Sequence, residues 1–281
     1  MILSNYHSHT HYCDGTDSPE TYVKKALELG LKAYGFSSHA PIPYPVVKWC
    51  MKMDRRRDYV HEIRQLQTKY AGEIELYCSM EIDFIPDEMG CSAPWIKELG
   101  LDYTISSVHF VGFEEEGVPW EIDGTHEGFK RGLTQLFGGD VKKAVTRYFE
   151  ITRTMLEKDC PSVLGHMDKI KMHNSDFRYF EEDEAWYRNQ VMETLELAKS
   201  KQVLREGNTR GIYKKKTTEP YPSPWILKEM KRLGIPVVVN SDGHHPNELI
   251  ACFEQAYAHL RQAGYTESFH FLNGEWKAEG I

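Results

Sequence analysis

Met1-Ile2-Leu3-Ser4-Asn5-Tyr6-His7-Ser8-His9, residues 1–9, is a short apolar stretch that runs straight into two histidines one residue apart. Residues 1–6 read as a β-strand. Side chains at i and i+2 of an extended chain point the same way, so His7 and His9 can grip one ion from a rigid support. The same form recurs downstream. Ala33-Tyr34-Gly35-Phe36-Ser37 leads to His39, Ile74 to Met80 ends at Glu81, and Asp102 to Val108 ends at His109. Ser162-Val163-Leu164 precedes His166, and a strand over 236–240 is followed by Ser241-Asp242-Gly243-His244. Imidazoles and carboxylates gathered at successive strand ends suit a hard or borderline divalent cation. A metallohydrolase is the first expectation.

Helical stretches alternate with these strands. Ser18-Pro19 followed by Glu20 opens a helix that ends near Gly30. Further helices are expected at about 54–70, 93–99, 141–158, 183–200, 223–233 and 247–263, with another strand over 202–206. The segment 111–139 is rich in Gly and acidic residues and reads as a long loop or lid. The last dozen residues, with Phe269-His270-Phe271, read as one further edge strand. A βα repeat predicts an α/β fold with a parallel sheet under covering helices. Chemistry contributed by many different strand ends marks a barrel rather than an open sheet. About seven units can be counted, so a distorted, TIM-like barrel forming a single domain over residues 1–281 is expected.

The net charge of −8 argues against general nucleic-acid or membrane-surface binding. Six scattered cysteines without a C-x-x-C pair read as reduced thiols, and only Cys13 stands out, beside Asp14. Met1–Tyr6 lacks a basic n-region, and no apolar run approaches the roughly 20 residues that span a bilayer. A cytoplasmic protein is expected. His11, His61, His126, His173, His259 and His270 read as ordinary core or surface histidines.

Taken together, His7-Ser8-His9-Thr10, Phe36-Ser37-Ser38-His39, Met80-Glu81, Ser107-Val108-His109, Gly165-His166-Met167-Asp168 and Ser241-Asp242-Gly243-His244 resemble the successive motifs of the PHP (polymerase and histidinol phosphatase) superfamily. His39-Ala40-Pro41 and Asn208-Thr209-Arg210-Gly211, with Pro220-Tyr221-Pro222-Ser223 beyond, resemble in particular its histidinol-phosphatase branch. The resemblance implies a (β/α)7 barrel with a trinuclear metal centre. One metal would be held by His7, His9, Glu81 and Asp242; a second would share Glu81 and add His109 and His166; a third would take Asp14, His39 and His244. Glutamate has two oxygens and can bridge, and clustered cations require carboxylates to lower the site's net charge. Ser38 departs from the pattern, standing where relatives often carry an acidic residue, so a supporting partner of His39 is missing there.

The resemblance further implies a phosphomonoesterase acting on L-histidinol phosphate in histidine biosynthesis. Two or three divalent ions (Zn, Fe or Mn) would serve it, with a metal-bridging hydroxide attacking phosphorus. Glu81, Asp242 and Arg210 are the expected catalytic residues. Arg210 follows a strand, and its planar fork suits phosphate oxygens; Lys171, ahead of Lys169, is the second expected phosphate ligand. The expected partner is a small phosphate ester, with no nucleic acid and no membrane. Another small monoester or a nucleic-acid end is the alternative substrate. An amidohydrolase-type deaminase or amidase also opens with H-x-H, but Glu81 and the terminal Asp242-x-His244 point away from it.

Overall fold

The computed structural model describes residues 3–114, 117–175 and 178–281. The expected first strand begins outside them, at residues 1–2, and within them narrows to β1, Ser4–Asn5. There follow α1 (Pro19–Glu28), β2 (Ala33–Phe36), α2 (Arg56–Lys69), β3 (Glu75–Cys78), β4 (Glu81–Asp83), α3 (Pro94–Lys97) and β5 (Ile105–Ser107). The middle of the chain supplies β6 (Phe110–Phe113), β7 (Pro119–Glu121), α4 (His126–Phe137), α5 (Val141–Lys158), β8 (Val163–Leu164), α6 (Ala185–Ser200) and β9 (Leu204–Asn208). Last come α7 (Arg210–Tyr213), α8 (Pro224–Leu233), β10 (Val237–Asn240), α9 (Phe253–Gln262), β11 (Glu267–Leu272) and β12 (Glu275–Gly280).

Parallel pairing runs β1-β2-β3 in one sheet and β4-β5-β8-β9-β10 in a second. Two single parallel bridges, His39 to Glu81 at the start of β4 and Ser8 to Gly243, extend this pairing. The helices cover the sheets with stripes set by helical spacing. In α8, Ile226, Leu227, Met230 and Leu233 are buried at i, i+1, i+4 and i+7. That helix stops at Gly234, whose φ of 72° is readily adopted only by a residue without a Cβ. A separate apolar cluster gathers Ala33, Ile105, Val163, Leu204 and Val238 against Phe271. Each of the larger side chains among them, taken out of water, contributes roughly 1.5–3 kcal/mol. Among the described residues no helix is long and apolar enough to cross a membrane.

Three expectations need correction. The segment 111–139 is no lid-like loop: β6 and β7 pair antiparallel with a bulge, and α4 follows. Glu115 and Glu116 lie outside the described residues. The glycine that reads as a loop signal there has a packing role, because a Cβ on Gly132 would sit 2.1 Å from the Trp120 ring. The last dozen residues form a two-stranded hairpin, β11–β12, rather than an edge strand. It is fastened to the first strand region by Tyr6, whose hydroxyl donates to Phe271 O at 3.0 Å and accepts from Phe271 N at 2.8 Å. The expected helix 247–263 starts late, at Phe253. Cys252 before it adopts φ 59°, and Pro246–Glu248 makes a separate 3-10 turn.

Candidate metal centre

Most of the singled-out residues follow strands or open one, and Asp14 sits in the turn beyond His9. His7 and His9 sit beyond β1, in a segment held beside β10's extension by His9 N to Gly243 O at 2.8 Å. His39 follows β2, Glu81 opens β4, His109 follows β5, His166 follows β8, and Asp242 and His244 follow β10. Asp242 has φ 54°, a left-handed conformation that aspartate tolerates better than most residues. Its carbonyl is held there by Arg210 Nη1 at 2.8 Å and the Tyr213 hydroxyl at 3.0 Å.

Glu81 is the hub. Its Oε2 lies 3.1 Å from His7 Nε2, 3.0 Å from His39 Nδ1 and 3.5 Å from His9 Nε2. Its Oε1 lies 2.9 Å from His166 Nε2 and 3.8 Å from His109 Nε2. Asp242 Oδ1 is 3.1 Å from His9 Nε2, and Asp14 Oδ2, at the more exposed rim, is 3.2 Å from His244 Nε2. Donor atoms close enough to share an ion fall into three groups: His7, His9 and Asp242; Glu81, His109 and His166; and His9, Asp14, His39 and His244. The grouping differs from the implied ligand sets in two respects: Glu81 falls with His109 and His166 and not with the first group, and His9 reaches the Asp14 group as well as the first.

Donor chemistry fits a set of divalent cations. His7 Nε2, His9 Nε2 and His39 Nδ1 are buried nitrogens without a hydrogen-bond partner among the described residues, and all face carboxylates. The rings crowd, with His9 4.1 Å from His39 and 4.0 Å from His244 between centroids. Such packing suits neutral imidazoles around a cation and disfavours imidazolium neighbours. Burial alone would raise the Glu81 carboxyl, but His7, His39 and the bond to His166 outweigh it and hold it well below the usual range. For Asp242 the burial penalty is likewise outweighed, by His7, Arg210 and His9.

The nitrogens that face away from the cluster are tied down. His7 Nδ1 lies 2.6 Å from Glu206 Oε1, and His109 Nδ1 lies 2.8 Å from Asp83 Oδ1. With the proton on Nδ1, the Nε2 lone pair points at the site. Glu206 also accepts from Asn240 Nδ2 at 3.0 Å, Asn208 Nδ2 at 3.0 Å and His166 N at 2.9 Å. Ser38 gives His39 no such support; it is engaged with Thr10, accepting from its N at 3.1 Å. Cys13 Sγ lies 3.6 Å from His9 Nδ1. Glu206→Gln is expected to weaken metal affinity about 10- to 100-fold, the range typical of a lost ligand-orienting partner. Competition with a calibrated chelator measures it, and unchanged affinity would deny Glu206 that role.

A cavity of about 240 Å³ opens beside the cluster. Asp14, His39, His109, Asp242 and His244 line one part of it, and Trp49, Glu121, Asp123, Lys169 and Arg210 line the rest. Arg210 therefore reaches the cavity as expected from sequence. Lys171 does not line it: its Nζ is buried 2.9 Å from Asp168 Oδ2, bonded to Ser223 and 5.6 Å from the Tyr221 ring. Lys169 is the lysine that faces the site, with Nζ 3.3 Å from His109 Nε2 and 2.9 Å from Asp123 Oδ2. Asp83, Glu206, Trp49, Glu121 and Asp123 escape a reading based on strand ends alone. Asp83 carries the one available signal, since it shares a strand face with Glu81 two residues earlier.

The model of the PHP domain family matches residues 5–210. A Deinococcus radiodurans protein named a probable histidinol-phosphatase is 28% identical over 93% of this chain and 94% of its own length. The histidinol-phosphatase of Bacillus subtilis is 24% identical over 88% of this chain and 96% of its own. Among solved structures, a Listeria monocytogenes protein classed with the histidinol phosphatases superposes with a TM-score of 0.79 at 25% identity, covering 90% of this chain and 99% of that one. The Lactococcus lactis histidinol phosphate phosphatase, in complex with Zn, L-histidinol and phosphate, gives a TM-score of 0.70 at 23% identity over 98% of both chains. The α/β fold is shared with both.

Proposed function

The chain belongs to the PHP domain family, and from that premise we propose that it is a metal-dependent phosphomonoesterase that hydrolyses L-histidinol phosphate to L-histidinol and phosphate. The observation that carries the reading is the meeting of three metal-competent groups around one carboxylate, Glu81, beside a cavity holding two cations, Lys169 and Arg210. Relatives named for this reaction match along nearly the whole chain. Bound there, two to three divalent ions (Zn, Fe or Mn) would supply a water acidified towards neutrality and offset charge developing on the phosphate.

The protein's own contribution is positioning. Glu81 directs its two oxygens towards different histidine groups, which suits it to bridging. Glu206 and Asp83 fix the tautomers of His7 and His109. Asp242 closes the first group, and His39, His244 and Asp14 form the third together with His9. Arg210 Nη1 rests 2.7 Å from His244 Nδ1, a contact in which the ring nitrogen accepts. Were His244 to ligate through Nε2, Nδ1 would carry the proton, and the guanidinium would turn to phosphate oxygens instead. Lys169 adds a second positive charge to that anion pocket. Lys171 lies behind the site and would act at most through Asp168.

The two parallel bridges favour a closed (β/α)7 barrel, with β3 and β4 as one interrupted strand and β1 meeting β10 through Ser8 and Gly243. The same continuity supports one domain over 1–281. Six free cysteines suit a cytoplasmic setting. Phosphate release from L-histidinol phosphate and from a panel of other small monoesters, with added Zn, Mn or Fe, tests the reaction. The protein should favour histidinol phosphate, and Arg210→Ala should depress turnover of every monoester by about 10- to 100-fold, since it reads the shared phosphate. A protein inert towards all of them under every metal would overturn the reading.

A further inference from the structure

Two of the candidate ligand histidines turn their outer nitrogen to a carboxylate, His7 to Glu206 and His109 to Asp83. His9 turns its own to a thiol, with Cys13 Sγ 3.6 Å from Nδ1. The opposite nitrogen, Nε2, is buried and has no hydrogen-bond partner among the described residues. It points into the cluster, 3.1 Å from Asp242 Oδ1 and 3.5 Å from Glu81 Oε2. His9 belongs to two of the three donor groups, and its ring packs against both His39 and His244. Its orientation therefore bears on two groups at once. Cys13 itself belongs to none of the three.

The turn after His9 brings the thiol to the ring. Cys13 N and Gly15 N both donate to Thr10 O, at 3.0 and 3.1 Å. Thr10 is tied to the Ser38 hydroxyl through its amide and its own hydroxyl. Tyr12 is buried edge-on to Tyr59, with 5.4 Å between centroids. Gly15 folds back so closely that a Cβ there would sit 2.1 Å from His9 O. A braced turn thus presents Cys13 to the nitrogen of His9 that faces away from the cluster.

An imidazole that ligates through Nε2 carries its proton on Nδ1, and an acceptor there fixes both tautomer and ring angle. We propose that Cys13 is that acceptor for His9, a positioning residue that aims one ligand shared by two metal groups. This rests on the metal-centre reading above and assigns the partner of its most connected histidine. Thiol sulfur is a weak acceptor, so its loss should cost less than loss of a carboxylate partner.

The test is stepwise metal loss to a calibrated chelator, together with the visible spectrum of protein reconstituted with Co(II). Cys13→Ala should weaken metal affinity about 10-fold, the lower end of what a lost ligand-orienting partner costs. One equivalent should keep its wild-type affinity, since the group of Glu81, His109 and His166 does not include His9. The cobalt d–d bands should shift in the same variant. Cys13→Ser keeps an acceptor on the same turn and should recover part of both effects. The metal-free variants should unfold at the wild-type temperature. Wild-type affinity and spectrum in Cys13→Ala would overturn the proposal, leaving the contact idle. Equal losses in the alanine and serine variants would overturn it as well, making Cys13 a packing residue of the turn. A thiolate-to-cobalt charge-transfer band that Cys13→Ala removes would overturn it by making Cys13 a ligand. A wild type that binds no divalent ion would remove the parent reading too.

Discussion

Glu81→Gln is expected to lower kcat by on the order of 10³ or more, as for loss of a principal electrostatic stabiliser. The side chains are nearly isosteric, so no cavity forms and the fold should hold. What changes is the donor set. Oε2 is 3.1 Å from His7 and 3.0 Å from His39, and Oε1 is 2.9 Å from His166. An amide offers one acceptor oxygen and turns an NH₂ towards the other group, so one histidine set loses its carboxylate whichever way it flips. The site also loses a negative charge that neighbouring cations need. Asp14→Asn should be milder, because Asp14 stands at the exposed rim and touches only the group with His39 and His244. Steady-state kinetics with a metal count for each variant checks the pair. Near wild-type rates in both would show that the ligand assignment is wrong.

The convergence of the strand-end residues was legible in the sequence because strand geometry is simple. Where a residue follows a short apolar run, alternation fixes its face, and His7, His9, Glu81, His109, His166 and Asp242 come together as that logic requires. The logic fails where the chain leaves extended geometry. Lys169 and Lys171 both follow the Gly165-His166 motif, but Lys169–His173 is a 3-10 turn, in which residues two apart face different directions. One lysine therefore enters the cavity and the other is buried against Asp168. Glu206 was hidden differently. It lies inside a five-residue strand, where an acid gives no sign that histidine and two asparagines surround it. The segment 111–139 was misread because β6 and β7 are short and bulged, and because glycine at position 132 serves the Trp120 ring rather than a turn. Glu121 and Asp123, the carboxylates of that hairpin, went unplaced with it.

Removal of the metals should abolish activity, a loss exceeding about 10³-fold given what acidified water and charge neutralisation supply to hydrolysis, while the protein stays folded. The two parts of that expectation have separate causes. Ligation depends on neutral imidazoles and ionised carboxylates, so chelators and mild acid compete directly for the site. The fold depends on apolar clusters elsewhere, among them Phe149, Met155, Leu195 and Met230 on one side and Tyr22, Ile63 and Ile82 on another, none of which is a ligand. Stability should nonetheless fall on stripping, because an ion held at 100 times its Kd contributes about 2.7 kcal/mol. The vacated cluster also has a protonation signature. Burial would depress His7, but Glu206, Glu81 and Asp242 together raise it well above the ordinary histidine value, so the metal-free protein carries a proton there near neutral pH. Rebinding must expel that proton. Adding Zn, Mn or Fe to stripped protein in weak buffer at pH 7 should therefore release acid as activity returns, with far-UV circular dichroism unchanged throughout. Protein that binds no divalent ion, releases no proton and gains no activity would remove the metal centre from the reading altogether.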